Sequence, residues 1–195
     1  MSIPELRFIN NLSVLLDCGR PLENSFRVLR QQAARGTPKE REAYDAMAKA
    51  VDKGEDFTQV LADYPELCTR SSLALLKAAR RTSTLAAVLP GLAVLVRARH
   101  EGELDPRRRF FETWALMVET GFSVEEALLE LGQEFSHGPL REVADGLSAG
   151  RQSGKSLAEG AERFPEVFDA ASVDLLRYGE ARDLAKALRA INRLI

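Results

Sequence analysis

The sequence repeats itself once, and this internal repeat limits the chain to a fold that can be built twice. The segment FINNLSVLLDCGRPLENSFRVLRQQ from Phe8 aligns with FFETWALMVETGFSVEEALLELGQE from Phe110, an offset of 102 residues. Further on, KGEDFTQVLADYPELCTRSSLALLK aligns with SGKSLAEGAERFPEVFDAASVDLLR at an offset of 100, so the second copy is two residues shorter in between. A repeat of this length indicates two copies of one structural unit. We therefore predict two homologous domains, residues 1–101 and 102–195, connected through HEGELDPRRR.

Apolar residues in both copies recur with the spacing of amphipathic helices, and no segment alternates apolar and polar residues for long enough to form a strand. A capping box at Ser2 starts the first helix. Helix-start signals then divide the first copy into six helices, the later ones beginning near Pro21, Thr37, Asp56, Thr69 and Leu85. Short connections between helices are typical of antiparallel bundles. The sequence thus predicts an all-α protein made of two tandem six-helix antiparallel bundles.

The stretch AGRQSGKSLAEG contains Gly154-Lys155-Ser156, which resembles the end of a phosphate-binding P-loop. A P-loop requires G-x-x-x-x-G-K-[ST] between a buried strand and a helix. Here Ala149 occupies the position of the first glycine, and the apolar residues before it have helical spacing. In the first copy Glu55 takes the place of Lys155, whereas both copies keep a glycine followed by an N-cap residue. We expect a connection between two helices, and nucleotide binding through Lys155 stays as an alternative.

No combination of residues typical of catalysis or metal binding is evident in the sequence. His100 and His137 lie in polar connections without a second ligand or a triad partner nearby, and a zinc site needs three or four ligands. Cys18 and Cys68 lack paired spacing, and we expect both to be buried, reduced packing residues. The sequence therefore predicts a protein that is not an enzyme and that uses no metal or cofactor.

Charge and hydropathy narrow the classes of partner. The formal net charge of −2 at pH 7 gives no electrostatic reason to expect nucleic acid binding. The longest apolar run, residues 85–96, contains a proline and is shorter than the roughly 20 residues that span a bilayer. The N-terminal residues lack the features of a signal peptide. We expect a cytoplasmic protein without a membrane span, and peripheral association with a membrane stays open.

The motifs and their order resemble a known family. Both copies contain a helix that ends at a glycine, a second glycine before an N-cap, and an aromatic-proline pair; these lie at Gly19 and Gly121, Gly54 and Gly154, and Tyr64-Pro65 and Phe164-Pro165. The second copy adds the motif LLRYGE, from Leu175 to Glu180. This pattern looks like the F domain of type II secretion systems, which platform proteins of type IV pili share. The resemblance implies a six-helix bundle at the cytoplasmic face of an inner-membrane platform protein that meets the assembly ATPase.

Two features depart from the family pattern. Family members usually carry membrane helices after each F domain, whereas here the first copy passes directly into the second. The Gly179-Glu180 pair of the motif is replaced by Ala79-Arg80 in the first copy. The sequence therefore leaves two origins open, a natural soluble relative or a trimmed form of a longer protein.

The same motif suggests where a partner binds. The resemblance implies that Gly179 and Glu180, together with Arg182, present a polar surface to a protein partner. Arg80 and Arg81 carry the opposite charge in the first copy, and they would meet a different partner or the second copy of a neighbouring chain. Close helix packing at Gly179 is the alternative explanation for that residue.

These observations predict a non-enzymatic cytoplasmic interaction module of a type II secretion or type IV pilus machine. Its expected partner is the assembly ATPase or another inner-membrane component of the machine, and homo-oligomer formation stays open. Two alternatives remain, a nucleotide-binding protein that uses Lys155 and a helical adaptor in an unrelated bacterial pathway.

Overall fold

The computed structural model of the protein describes residues 4–102 and 105–195. Ser2, at the start of the predicted capping box, and residues 103–104 of the predicted connection lie outside this range. Within it the regular structure is helical and includes no strand, which confirms the all-α prediction.

In the part of the chain that the structure describes, each copy of the repeat forms six α-helices, as predicted. The helices of the first copy are α1 (Pro4–Asp17), α2 (Leu22–Gln32), α3 (Pro38–Asp52), α4 (Phe57–Leu61), α5 (Arg70–Arg81) and α6 (Leu85–Glu101), with a 3-10 helix (Ala33–Arg35) after α2. Those of the second copy are α7 (Pro106–Glu119), α8 (Val124–Glu134), α9 (Pro139–Gln152), α10 (Leu157–Ala161), α11 (Ala170–Glu180) and α12 (Leu184–Leu194). The starts of α2 and α8 differ by 102 positions and those of α4 and α10 by 100, so the helices reproduce the repeat.

The chain divides into two compact units, unit 1 (residues 1–97) and unit 2 (residues 98–195). The division falls inside α6, a few positions before the end of that helix. The sequence-based domain boundary after residue 101 stays a prediction.

Unit 1 is built around an aromatic cluster supplied by four of its helices. Phe8 of α1, Phe26 of α2 and Phe57 of α4 are fully buried, and Tyr44 of α3 is nearly so. The ring centroids of Phe26 and Phe57 lie 4.8 Å apart, and those of Phe8 and Tyr44 lie 5.8 Å apart. Burial of one such side chain stabilises a fold by roughly 1.5–3 kcal/mol. The apolar face of each helix is therefore directed to one shared core.

Unit 2 has a corresponding core with more aromatic residues on its first helix. Phe110, Phe111 and Trp114 of α7 are fully buried. Phe110 contacts Phe135 at the end of α8 with 5.3 Å between ring centroids, and Phe111 contacts Phe168 before α11 at 5.5 Å. These edge-on ring contacts fix α7 in the centre of the unit.

The last helix of unit 2 is also held by charged groups. Arg189 of α12 donates two hydrogen bonds of 2.7 and 2.8 Å to the carboxylate of Glu119 at the end of α7, and it pairs with Glu112 on the same helix. Asn192 donates to Glu112 at 2.7 Å. The hydrogen bond to Glu119 raises the pKa of Arg189 above its ordinary value, and the negative charges of Glu112 and Glu119 act in the same direction. Partial burial opposes this shift. In unit 1 the position of Arg189 is occupied by Pro90, inside the largely apolar helix α6.

The two cysteines differ in environment. Cys68 is 3% exposed and belongs to the core of unit 1, as the sequence predicts. The prediction of burial is wrong for Cys18, which is exposed. The reason is that α1 ends at Asp17, so Cys18 lies in the turn that leads to Gly19 and not on the apolar face of the helix.

Glu40 is a buried carboxylate of unit 1 with internal partners. It lies in the first turn of α3, accepts a hydrogen bond of 2.7 Å from the N–H of Thr37, and pairs with Arg7 of α1. Burial alone would raise the pKa of Glu40, but the Thr37 N–H and the Arg7 guanidinium outweigh it and hold this pKa below its ordinary value. Glu40 therefore stabilises the fold in its ionised form.

We predict that this stabilisation is lost in acid. Because the folded pKa of Glu40 is lower than the unfolded value of about 4.3, its contribution is complete above that pH and disappears as the pH falls through the folded pKa. Urea unfolding of the parent chain and of Glu40→Gln, measured at a series of pH values, should give a difference in unfolding free energy that shrinks in acid. A difference that stays constant down to the acid limit would contradict the prediction.

Candidate functional site

The Gly154-Lys155-Ser156 loop connects two helices, as the sequence predicts. It follows α9 and precedes α10, and Gly154 has a φ of 81°, a left-handed conformation that favours glycine. Ser156 is the N-cap of α10 and forms a capping box with Glu159, with hydrogen bonds of 2.8 and 3.1 Å. The Ser156 N–H lowers the pKa of the Glu159 carboxyl. The hydroxyl that a P-loop would offer to a metal ion is thus engaged in capping.

Glu180 occupies the place where a P-loop would hold phosphate. From the end of α11 its carboxylate accepts hydrogen bonds from the N–H groups of Leu157, at 2.6 Å, and Ala158, at 3.2 Å. Arg151 of α9 lies 3.6 Å from the same carboxylate. These N–H groups start α10 and attract negative charge, as the first N–H groups of any helix do. A phosphate would therefore have to displace the protein's own carboxylate.

Unit 1 makes the same connection with the opposite charges. Arg80, the counterpart of Glu180, lies 3.8 Å from the carboxylate of Asp56 and 5.9 Å from the centre of the Phe57 ring. Asp56 is the N-cap of α4 and accepts a hydrogen bond of 3.0 Å from the N–H of Thr58. We call the contact of residue 80 or 180 with the start of α4 or α10 the corner contact.

The charge of the cap explains the charge of its partner. In unit 2 the cap Ser156 is neutral, so the start of α10 keeps its positive character and takes a carboxylate. In unit 1 the cap Asp56 already supplies a negative charge, and a guanidinium completes the contact. The reversal of charge between the copies therefore preserves one structural contact.

The starts of α5 and α11 show the same relation between the charge of the cap and the charge of its partner. At the start of α5 the neutral cap Thr69 donates from its N–H to the buried carboxylate of Glu5, at 2.9 Å. At the start of α11 the cap is Asp169, and the counterpart of Glu5 is Arg107, which donates to the carbonyl of Val167 at 2.8 Å. Hydrogen bonds from Ser172 lower the pKa of Asp169, and the charge of Arg107 lowers it further. A neutral cap again has an acidic partner and an acidic cap a basic one.

Gly179 lets two helices of unit 2 approach closely. A Cβ built on Gly179 would clash with the Cβ of Ala187 and would lie 3.4 Å from the Cα of Leu184, both on α12. This contact supports the packing explanation for Gly179. In unit 1 the counterparts of Gly179 and Ala187 are the larger residues Ala79 and Val88, both buried.

The surface of the unit 2 corner is formed by Arg182 and Tyr178. Arg182 follows α11 and is exposed; it donates to the Tyr178 hydroxyl at 3.0 Å, and its guanidinium carbon lies 4.8 Å from the centre of that ring. Tyr178 is 59% exposed, whereas its counterpart Ala78 in unit 1 is buried. Tyr178 is not among the residues that the sequence predicts to bind a partner, although it lies inside the LLRYGE motif. An exposed tyrosine stacked with an arginine is the side-chain chemistry that protein interfaces favour.

The corner of unit 1 is an open groove. It has a volume of about 420 Å³ and is lined by Leu16, Gly19, Arg20, Pro21, Leu22, Ala79, Arg80, Ser83, Leu85 and Ala86. Arg81 is exposed beside it. Of the residues predicted to bind a partner, Gly179, Glu180 and Arg182 thus lie at one corner, and Arg80 and Arg81 lie at the corresponding corner of unit 1.

The described residues meet neither the requirements of a metal site nor those of a membrane span. Across the described ranges, no group of three or more histidine, cysteine, aspartate or glutamate residues is placed to hold a metal ion. Among the helices of the same ranges, none combines the length and the apolar character needed to cross a bilayer.

Comparison with known proteins identifies the repeat. Residues 8–109 match the family model described as type II secretion system (T2SS), protein F, and residues 110–195 match it a second time. No curated protein matches the chain. Both copies of the repeat are therefore related to the same family, over nearly the whole sequence.

The corner contact of unit 2 predicts a specific loss of stability. Glu180→Arg removes the acceptor of two backbone N–H groups, and we expect it to lower the free energy of unfolding by about 1.5–3 kcal/mol. Adding Ser156→Asp supplies an acidic cap, as in unit 1, and should restore part of the loss. Urea unfolding of the single and double variants measures both effects.

A matched control for this charge reversal is available on the exposed surface. Glu162→Arg breaks an exposed pair with Arg177 and should change the free energy of unfolding by less than about 0.5 kcal/mol. If Ser156→Asp gives no recovery in the Glu180→Arg background, the charge rule for the corner contact is wrong.

The nucleotide alternative is tested by Lys155→Ala. Because Lys155 is exposed and Glu180 holds the start of α10, we expect isothermal titration with Mg-ATP to give no saturable heat for either the parent chain or the variant. Saturable binding by the parent that is lost in Lys155→Ala would instead support the nucleotide alternative.

Proposed function

Because the chain belongs to the family of type II secretion system protein F, we propose that it is a non-enzymatic protein-interaction module of a type II secretion or type IV pilus machine. The observation that carries this proposal is the family match over both copies of the repeat. A duplicated helical unit supplies two related surfaces on one chain, which suits a protein that holds components together.

We further propose that the partner is the assembly ATPase or another inner-membrane component of the machine, met in the cytoplasm at the face of that membrane. In this proposal the unit 2 corner binds the partner through the Arg182 guanidinium and the Tyr178 ring. Glu180 acts indirectly, since its carboxylate joins α11 to the start of α10 and so fixes the helix that carries Tyr178. Gly179 acts by letting α11 and α12 pack closely.

The internal contacts of Glu180 make it an unsuitable position at which to test partner binding. If Glu180 only presented a polar surface, Glu180→Arg would weaken partner binding without altering stability, but the two backbone hydrogen bonds predict that it also destabilises unit 2. A loss of binding in that variant would therefore be ambiguous. Arg182 and Tyr178 avoid this difficulty because both are exposed and their mutual contact is on the surface.

We predict that Arg182→Glu combined with Tyr178→Ala weakens binding to the partner by about tenfold or more, since interfaces depend on a few aromatic and arginine side chains. The measurement is biolayer interferometry between the purified chain and the assembly ATPase of the same organism. Arg163→Glu, at another exposed arginine of unit 2, serves as the control with the same change of charge.

Two results would count against the proposal. Equal binding by the double variant and the parent would remove the unit 2 corner from the interface. No binding of the parent chain to the ATPase, or to any other component of the machine, would favour the adaptor in an unrelated pathway.

A further inference from the structure

The corner of unit 1 differs from the corner of unit 2 at two positions. In unit 2, Gly179 allows α12 to lie directly against α11, and Phe122 is half-buried just before α8. In unit 1 the counterpart of Gly179 is Ala79, and the counterpart of Phe122 is Arg20, which is exposed. Arg20 and Ala79 both line the groove of unit 1.

The groove combines an apolar floor with a basic rim. Leu16, Leu22 and Leu85 supply the apolar surface, Arg20 supplies a positive charge, and Arg80, which pairs with Asp56, lies beside them. Its volume of about 420 Å³ is within the range of pockets that bind small molecules, roughly 300–1,000 Å³. Such a groove is complementary to an apolar side chain that has carboxylates beside it.

Helix α8 of unit 2 presents a surface of this kind. Leu129 is 61% exposed, a high value for a large apolar side chain. Glu125 and Glu126 precede it by one helical turn, so the three residues share one face of the helix, and all three are exposed. The helix carries four glutamates and neither lysine nor arginine. Other exposed apolar residues, such as Val14, Val94 and Leu194, do not lie on an acidic helix of this kind.

We propose that the unit 1 groove of one chain binds the Leu129 face of α8 in a second copy of the same chain. Leu129 enters the apolar floor, and Glu125 faces Arg20. Leu129 and Arg20 are exposed in the single chain, and Glu125 would exchange its surface pair with Arg151, at 3.3 Å, for a pair with Arg20. The inference goes beyond the proposed function, which concerns the unit 2 corner and not the unit 1 groove.

The two surfaces differ, and this determines the kind of assembly. A groove on unit 1 and a helix on unit 2 form a heterologous contact, which leaves one free groove and one free α8 on every pair of chains. Chains can therefore add in a head-to-tail row or close into a ring. A contact made by one helix face is small, so we expect weak association that is reversed by dilution.

The first measurement is sedimentation velocity of the parent chain over a range of concentrations. The weight-average sedimentation coefficient should rise with concentration, and the rise should diminish between about 0.05 and about 0.5 M salt because exposed charges are screened. A chain that stays monomeric at the highest concentration in low salt overturns the proposal.

The second measurement uses two variants that each lose one of the two surfaces. Arg20→Glu places an acid in the groove, and Leu129→Lys removes the apolar anchor and puts a base on α8. Either variant alone should associate about tenfold or more weakly than the parent, since like charges then face each other across the contact. A mixture of the two still contains one intact groove and one intact α8. It should form a dimer of one chain of each variant and nothing larger.

Matched controls separate the contact from general effects of charge and size. Arg41→Glu and Leu194→Lys make the same changes at exposed positions outside the two surfaces and should associate like the parent. Ala86→Trp fills the groove and should weaken association, whereas Ala87→Trp, at the next exposed position of α6, should not. Circular dichroism establishes that each variant keeps its helices.

The outcomes distinguish this inference from the proposed function. If the mixture stays monomeric while the parent associates, the chains meet through other surfaces and the pairing of groove and α8 is wrong. No ATPase is present in these experiments, so a failure here leaves binding to the ATPase untouched. Conversely, a chain that forms the mixed dimer but binds no component of the machine would support the groove and contradict the proposed function.

Discussion

The N–H groups at the start of the short helices α4 and α10 are the constraint on which each corner depends. Each of these helices has five residues, so most of its N–H groups have no carbonyl acceptor within the helix. In unit 2, Glu180 from the end of α11 accepts from two of them. In unit 1 the cap Asp56 accepts from the N–H of Thr58, and Arg80 from the end of α5 pairs with the Asp56 carboxylate. In both units the contact joins helices that are distant in sequence.

Between the two copies, the cap and its charged partner differ together. Asp56 occurs with Arg80, whereas Ser156 occurs with Glu180. The start of α5 and α11 follows the same rule with its own cap and partner. A charge at position 80 or 180 is therefore set first by the neighbouring cap. From sequence alone, the change from Gly179-Glu180 to Ala79-Arg80 is interpreted as a change of partner, although much of it is internal.

The sequence predicts the features that depend on neighbouring residues. The helices, the capping box at Ser156 and the glycine turn before it all follow from residues a few positions apart. The bond from Leu157 to Glu180 spans 23 positions, and no local pattern indicates it. Exposure does not follow from the apolar pattern alone. Cys18 is exposed because α1 ends one residue earlier, and Tyr178 is exposed although its counterpart Ala78 is buried.

The two corners carry different side chains at corresponding positions of the repeat. In unit 2, Gly179 and the pairing of Arg189 with α7 hold α12 close, so Tyr178 and Arg182 stand on a fixed support. In unit 1, Pro90 stands in place of that arginine, Ala79 stands in place of Gly179, and the corner is a groove lined in part by Arg20 and Arg80. Corresponding positions of the repeat therefore carry an exposed tyrosine and arginine on closely packed helices in unit 2 and a groove in unit 1.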